Sequence, residues 1–132
     1  MTMILAATLL ALFGAQTDLP PLPDWSVLGP LRYLDEPHMT EPMTAFVVEE
    51  YAAGRCVRPA AVDGRYALTL DVAVLIDKNG AVRATVPHAI NCPTIEQYGA
   101  GLVSAFARDN LVPRATTTDQ WFRTSIIFTW AQ

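Results

Sequence analysis

The sequence predicts an α+β domain: a three-stranded antiparallel sheet in the spatial order second-first-third, with a long helix and a short N-terminal helix on one face. Three apolar patterns carry this reading. Leu68, Leu70, Val72, Val74 and Ile76 alternate with Thr69, Asp71, Ala73 and Asp77. Beyond Asp77-Lys78-Asn79-Gly80, Val82, Ala84 and Val86 alternate with Ala81, Arg83 and Thr85. After a helical segment, Phe122, Thr124, Ile126, Phe128 and Trp130 alternate with Arg123, Ser125 and Thr129. Period-2 alternation of this kind marks strands with one buried face. A hairpin followed by a helix and a third strand sets that last strand beside the first.

The chain opens on an apolar run from Met3 to Ala15. As a helix it would rise only about 20 Å, short of the roughly 30 Å hydrocarbon core. A secretory signal peptide over residues 1–17 fits best, processed among Gly14, Ala15, Gln16 and Thr17, although no Lys or Arg precedes the run. An uncleaved anchor and a buried structural helix are the alternatives. No Cys follows at a position for lipid attachment.

Residues 18–42 form a Pro-rich arm with six of the ten prolines: Pro20, Pro21, Pro23, Pro30, Pro37 and Pro42. That density keeps the backbone extended. Trp25, Leu28, Leu31 and Tyr33 are too apolar for a free linker, so part of the arm should dock on the domain of residues 43–132.

Thr44 to Ala53 reads as a short helix with Met43, Phe46, Val47 and Tyr51 at helical spacing, Pro42 in its first turn and Gly54 at its stop. Glu49 and Glu50 are expected on its solvated face. Arg55 to Gly64 is a loop. The hairpin that follows favours a three-residue loop, Lys78 to Gly80, opposing Ile76 to Val82, Val74 to Ala84 and Val72 to Val86. Gly80 then takes the left-handed position of a type I turn plus bulge. In the long helix, Thr94 and Gln97 form a candidate capping box and Ile95, Tyr98, Leu102, Ala105 and Phe106 a stripe, closed at Asp109-Asn110.

With 52% hydrophobic and 17% charged residues, the 132-residue chain is composed for a packed core, not disorder. Its net charge is −4 and its nine basic residues form no run, which argues against nucleic acid or an anionic membrane as partner. In an oxidising compartment Cys56 and Cys92 have one pairing open to them. They flank the hairpin, whose two ends are neighbours, so a disulfide is expected; two free buried thiols are the alternative, and two Cys alone do not make a tetrahedral metal site.

No catalytic or metal-ligating constellation is legible. His38 and His88 stand alone, and Ser26, Ser104 and Ser125 lack a nucleophile-elbow setting. No Gly-rich phosphate loop is present. No catalytic residue, metal or cofactor is therefore assigned. What remains is the sheet edge. With both edges open, the last strand can recruit an extended segment by main-chain pairing, and Arg123, Ser125, Ile127 and Thr129 are the residues expected to flank it.

The stretches "VAVLIDKNGAV", "HAINCPTIEQY", "LVPR" and "RTSIIFTW" together resemble the C-terminal domain of TonB-type proteins, over roughly Met43 to Trp130. The resemblance implies a periplasmic, non-enzymatic module that binds a short segment of an outer-membrane transporter by strand addition. Departures are the absence of an anchor and spacer of family length, and Asn91-Cys92-Pro93 in place of the small Ser/Gly-rich turn. The expectation is a free-standing secreted or periplasmic binding domain with a protein partner and no membrane span after processing. A secreted structural or homodimeric protein using the same edge is the alternative, and a small hydrolase-like enzyme a distant third.

Overall fold

The computed structural model describes residues 19–132; the expected signal segment and its processing site lie outside them. In chain order these residues form a 3-10 turn (Trp25–Val27), a two-residue strand β1 (Gly29–Pro30), helix α1 (Glu41–Ala52), strands β2 (Arg65–Ile76) and β3 (Val82–Pro87), helix α2 (Pro93–Ala107) and strand β4 (Gln120–Ala131). The sheet order is β1-β4-β2-β3. The predicted antiparallel trio is present as β3-β2-β4, and the three-stranded expectation is corrected by one addition. The arm supplies β1, which pairs in parallel with β4 at Phe122 and Arg123. A strand of two residues has no periodicity to read.

β2 and β4 pair along their whole length, from Arg65 opposite Ala131 to Ile76 opposite Gln120. The even-numbered residues share one face. Leu70, Val72, Val74, Ile76, Ile126 and Phe128 are buried there with Val47 and Tyr51 of α1 and Ile95, Ala100 and Val103 of α2. Both helices thus lie on a single face. α1 starts three residues earlier than the expected Thr44, with Pro42 in its first turn as predicted, and Gly54 closes it at φ +74°. No helix among the described residues is long and apolar enough to cross a membrane.

The hairpin loop matches its reading and the strands beyond it do not. The amide of Asp77 donates to the Ala81 carbonyl and that of Gly80 to the Asp77 carbonyl, enclosing Lys78 to Gly80, with Gly80 at φ +81°. Ile76 faces Val82 as predicted, but an irregularity at Leu75/Ile76 shifts the rest: Leu75 faces Ala84, Val74 faces Thr85 and Ala73 faces Val86. A one-residue slip exposes an apolar set only where a single sheet face is buried. Ala73 and Leu75, on the other face, are 0% exposed. The arm explains why. The Trp121 Nε1–H donates to the Pro20 carbonyl at 3.0 Å, and the Trp25 ring meets His88 edge-on at 5.0 Å. Between those anchors on β4 and just past β3 the arm must cross β2, on the face carrying Ala73 and Leu75. It then returns, burying Leu28, to form β1. Docking of the arm is as expected, and it covers a second sheet face.

α2 lies close against the sheet because of Gly99. A Cβ there would stand 2.1 Å from Leu70 Cδ2 and 3.1 Å from Ile126 Cδ1. The buried stripe is Ile95, Gly99, Ala100, Val103 and Ala107, rotated from the expected one toward the small residues. Nor does Gln97 cap the helix. Cys92 is the N-cap, and Glu96 Oε2 accepts from the amides of Ile90 and Cys92 at 3.1 and 2.9 Å.

Gly99→Ala should destabilise the domain by about 1–3 kcal/mol, because Leu70 is fully buried and has nowhere to move. Gly101→Ala, exposed and facing open space, should stabilise by about 0.5–1 kcal/mol through helix propensity. Urea unfolding of the two variants checks the sign of each. In the turn, the amides of Ala81 and Asn79 bond Asp77 Oδ1 at 2.9 and 2.8 Å. The Ala81 bond leads in holding this carboxyl below its ordinary 3.8. The depressed folded-state value means the stabilisation is present above the unfolded-state titration and is lost as pH falls through the folded one. Asp77→Asn should therefore flatten part of the acid limb of the stability profile, read by melting temperature against pH.

Candidate strand-addition edge and its groove

The alternation of main-chain groups along β4 is settled by two hydrogen bonds. The Leu31 amide donates to the Arg123 carbonyl at 2.8 Å from the β1 side. The Gln132 amide donates at 2.9 Å to the Gly64 carbonyl on the β2 side. Because N–H and C=O of one strand residue point the same way and alternate along the chain, odd-numbered residues of β4 face away from β2. Arg123 is thereby taken up by β1, with Pro30 opposite it, and is not on the free edge as the sequence reading had it. Ser125, Ile127 and Thr129 are. Among the described residues, no main-chain bond closes their outer side.

β1 stops early because the arm leaves the edge. After Leu31 it turns toward the helices, where Tyr33 bridges to Leu111 and its hydroxyl meets Thr124 Oγ1 at 3.3 Å. Burial of that phenol raises its pKa above the usual 10.0, outweighing the hydrogen bond to Thr124, which lowers it. β4 is left unpaired on this side from Ser125 onward. The opposite edge of the sheet, β3, is short and irregular and ends at Pro87, features that discourage pairing.

Alongside the free edge runs a groove of about 550 Å³. One wall is β4 from Ile127 to Ala131; the other is α1, through Glu41, Thr44, Ala45, Val48 and Glu49, with Met39 and Thr40 at its mouth. Spacings of three to four residues put these α1 positions on one helix face. The apolar content comes from Met39, Ala45, Val48, Trp130, Ala131 and Ile127, the last 53% exposed. Charge comes from Glu41 and Glu49 alone. Behind the groove, Trp130 stacks on Tyr51 at 5.9 Å and against Tyr66 at 5.5 Å.

α1 is held in place by bonds to α2. The Tyr98 hydroxyl donates to the Met43 carbonyl at 2.7 Å, and the Thr94 hydroxyl to Glu50 Oε2 at 2.7 Å. Glu50 is buried, 9% exposed, and also accepts from Arg55 at 3.2 Å. The expectation of a solvated Glu49-Glu50 pair is corrected: Glu49 is exposed, and Glu50 is a strut between helices. The expected Cys56–Cys92 disulfide is present, with Cα atoms 5.6 Å apart, tying the loop after α1 to the start of α2. Ser125 and Asp71, paired across the strands, are hydrogen-bonded through their side chains on the opposite sheet face.

The groove beside β4 has no counterpart in the sequence pattern. The α1 face made of Glu41, Ala45, Val48 and Glu49 has no distinctive composition, and only the tertiary placement of α1 beside β4 makes it a wall. No known family, curated protein or solved structure matches this chain.

The two orientations along β4 predict opposite outcomes for neighbouring proline substitutions. Ile127→Pro deletes an outward N–H and should shift stability by less than about 1 kcal/mol. Thr124→Pro deletes an inward N–H opposite Val72 and should cost about 3 kcal/mol or more. Thermal melts of both variants check the pair.

Proposed function

We propose that this chain is a non-enzymatic protein-binding module of the periplasm or another secreted compartment, which takes an extended partner segment as an added strand on β4. The observation that carries the reading is the run of free main-chain groups at Ser125, Ile127 and Thr129 beside a groove of about 550 Å³. An added strand gains affinity from those groups and specificity from alternate side chains seated against α1. The disulfide and the resemblance of Met43–Trp130 to TonB C-terminal domains support the compartment and the mode of binding. On that resemblance the partner is a segment of an outer-membrane transporter. No cofactor takes part. Glu41 and Glu49 at the groove wall favour basic side chains among apolar ones in the bound segment.

The exposed Ile127 supports a second reading, in which β4 pairs with β4 of another copy. One set of measurements separates the two. Wild type and Ile127→Pro are compared by light scattering after size exclusion, then against immobilised extended peptides bearing alternate basic and apolar residues. The module reading expects a monomer that binds such peptides and loses at least about tenfold in affinity in the proline variant. A wild-type dimer that the proline variant dissociates supports self-pairing. Peptide binding unchanged by Ile127→Pro contradicts the module reading, and a wild-type monomer, or a dimer that the proline variant leaves intact, contradicts self-pairing.

A further inference from the structure

The far end of the sheet holds a second concavity of about 540 Å³, enclosed by the β2–β3 turn, the loop between α2 and β4, and the arm just after β1. Leu31, Leu111 and Phe122 give it apolar walls. Its charge is unlike the rest of the molecule. Arg32, Lys78 and Arg114 line it against one carboxylate, Asp109. Three of the chain's nine basic residues thus meet in one cleft of a protein whose net charge is −4. The ion pairs found among the described residues, Arg55 with Glu50 and Arg83 with Asp119, use none of these three cations.

Arg114 is fixed before any ligand arrives. Its Nη2 donates to the carbonyls of Ile76 and Asp77 at 3.2 and 2.9 Å, and its Nη1 to Gln120 Oε1 at 2.9 Å. The guanidinium also lies 4.9 Å from the centre of the Phe122 ring. A guanidinium has five N–H groups, so these bonds leave donors uncommitted among the described residues. Its charge is met there only by neutral oxygens and a ring face.

We propose that this cleft binds a small amphipathic anion, a carboxylate or phosphate monoester on a short alkyl body. A neutral apolar molecule would fill the walls and leave the cations unanswered; an inorganic anion would leave the walls wet; a cation would be repelled. The volume suits a ligand of this size, and a pre-placed Arg loses little freedom on binding. The site is separate from the free edge of β4 and does not depend on the strand-addition reading.

The test is a titration of the full chain, followed by amide and side-chain NMR, with octanoate, octyl phosphate and the neutral control octanamide. Saturable shifts at Leu31, Lys78, Leu111 and Phe122 are expected with at least one of the two anions, and affinity at least about tenfold weaker for octanamide. Comparing the two anions identifies the head group. Arg114→Gln also removes bonds to Ile76 and Asp77, so the decisive variant is the exposed double change Arg32→Gln/Lys78→Gln. It should keep the melting temperature and weaken anion binding by about tenfold. Equal affinity for octanamide, shifts centred elsewhere, or undiminished binding by the double variant would overturn the proposal.

Discussion

The groove exists only because α1 is fastened to α2. A twelve-residue helix packed chiefly through Val47 and Tyr51 has little hold of its own, and isolated helices of that length are marginal in water. Three ties supply the rest. The Cys56–Cys92 bridge spans 36 residues, a loop for which the chain-entropy model gives about 3–4 kcal/mol. Glu50 and Tyr98 add hydrogen bonds from buried or half-buried positions, where losing one partner strands the other. Together they stand α1 beside β4 at a distance that leaves a channel along the strand edge.

The second organising feature is the arm. A Pro-rich segment donates few main-chain hydrogen bonds, so it lies over a sheet face without competing for the ladder. Pro20 and Trp25 anchor it at two sides of the sheet, and Ala73 and Leu75 disappear beneath it. Its passage over the edge at Leu31 sets where the free part of β4 begins. One segment therefore does two things: it closes the outer face and it divides β4 into an occupied and an unoccupied half. The same passage brings Arg32 to the cleft at the hairpin end.

Local chemistry was legible in the sequence wherever one residue type decides the conformation. Gly80 in the turn, Pro42 in the first turn of α1, Gly54 at its end and the alternation of β4 are all of that kind. The register beyond the turn was not, because Ala84 and Val86 suit either face once the arm buries Ala73 and Leu75. The buried stripe of α2 departs from the hydropathy pattern for a related reason: close packing selects Gly99 and Ala100, while hydropathy points to Leu102 and Phe106. At the site, Ser125, Ile127 and Thr129 followed from strand parity. The loss of Arg123 to β1 and the wall made by α1 are tertiary, and no local pattern encodes them.

The central claim is that β4 offers a half-free edge whose main-chain groups alternate between the ladder and solvent. Native-state amide hydrogen exchange resolved residue by residue from Thr124 to Thr129 tests it most directly. Thr124, Ile126 and Phe128, bonded to β2, should exchange only through opening of the sheet, orders of magnitude more slowly than Ser125, Ile127 and Thr129. Equal, strong protection of all six amides in the isolated monomer would contradict the account, because the edge would then already be occupied.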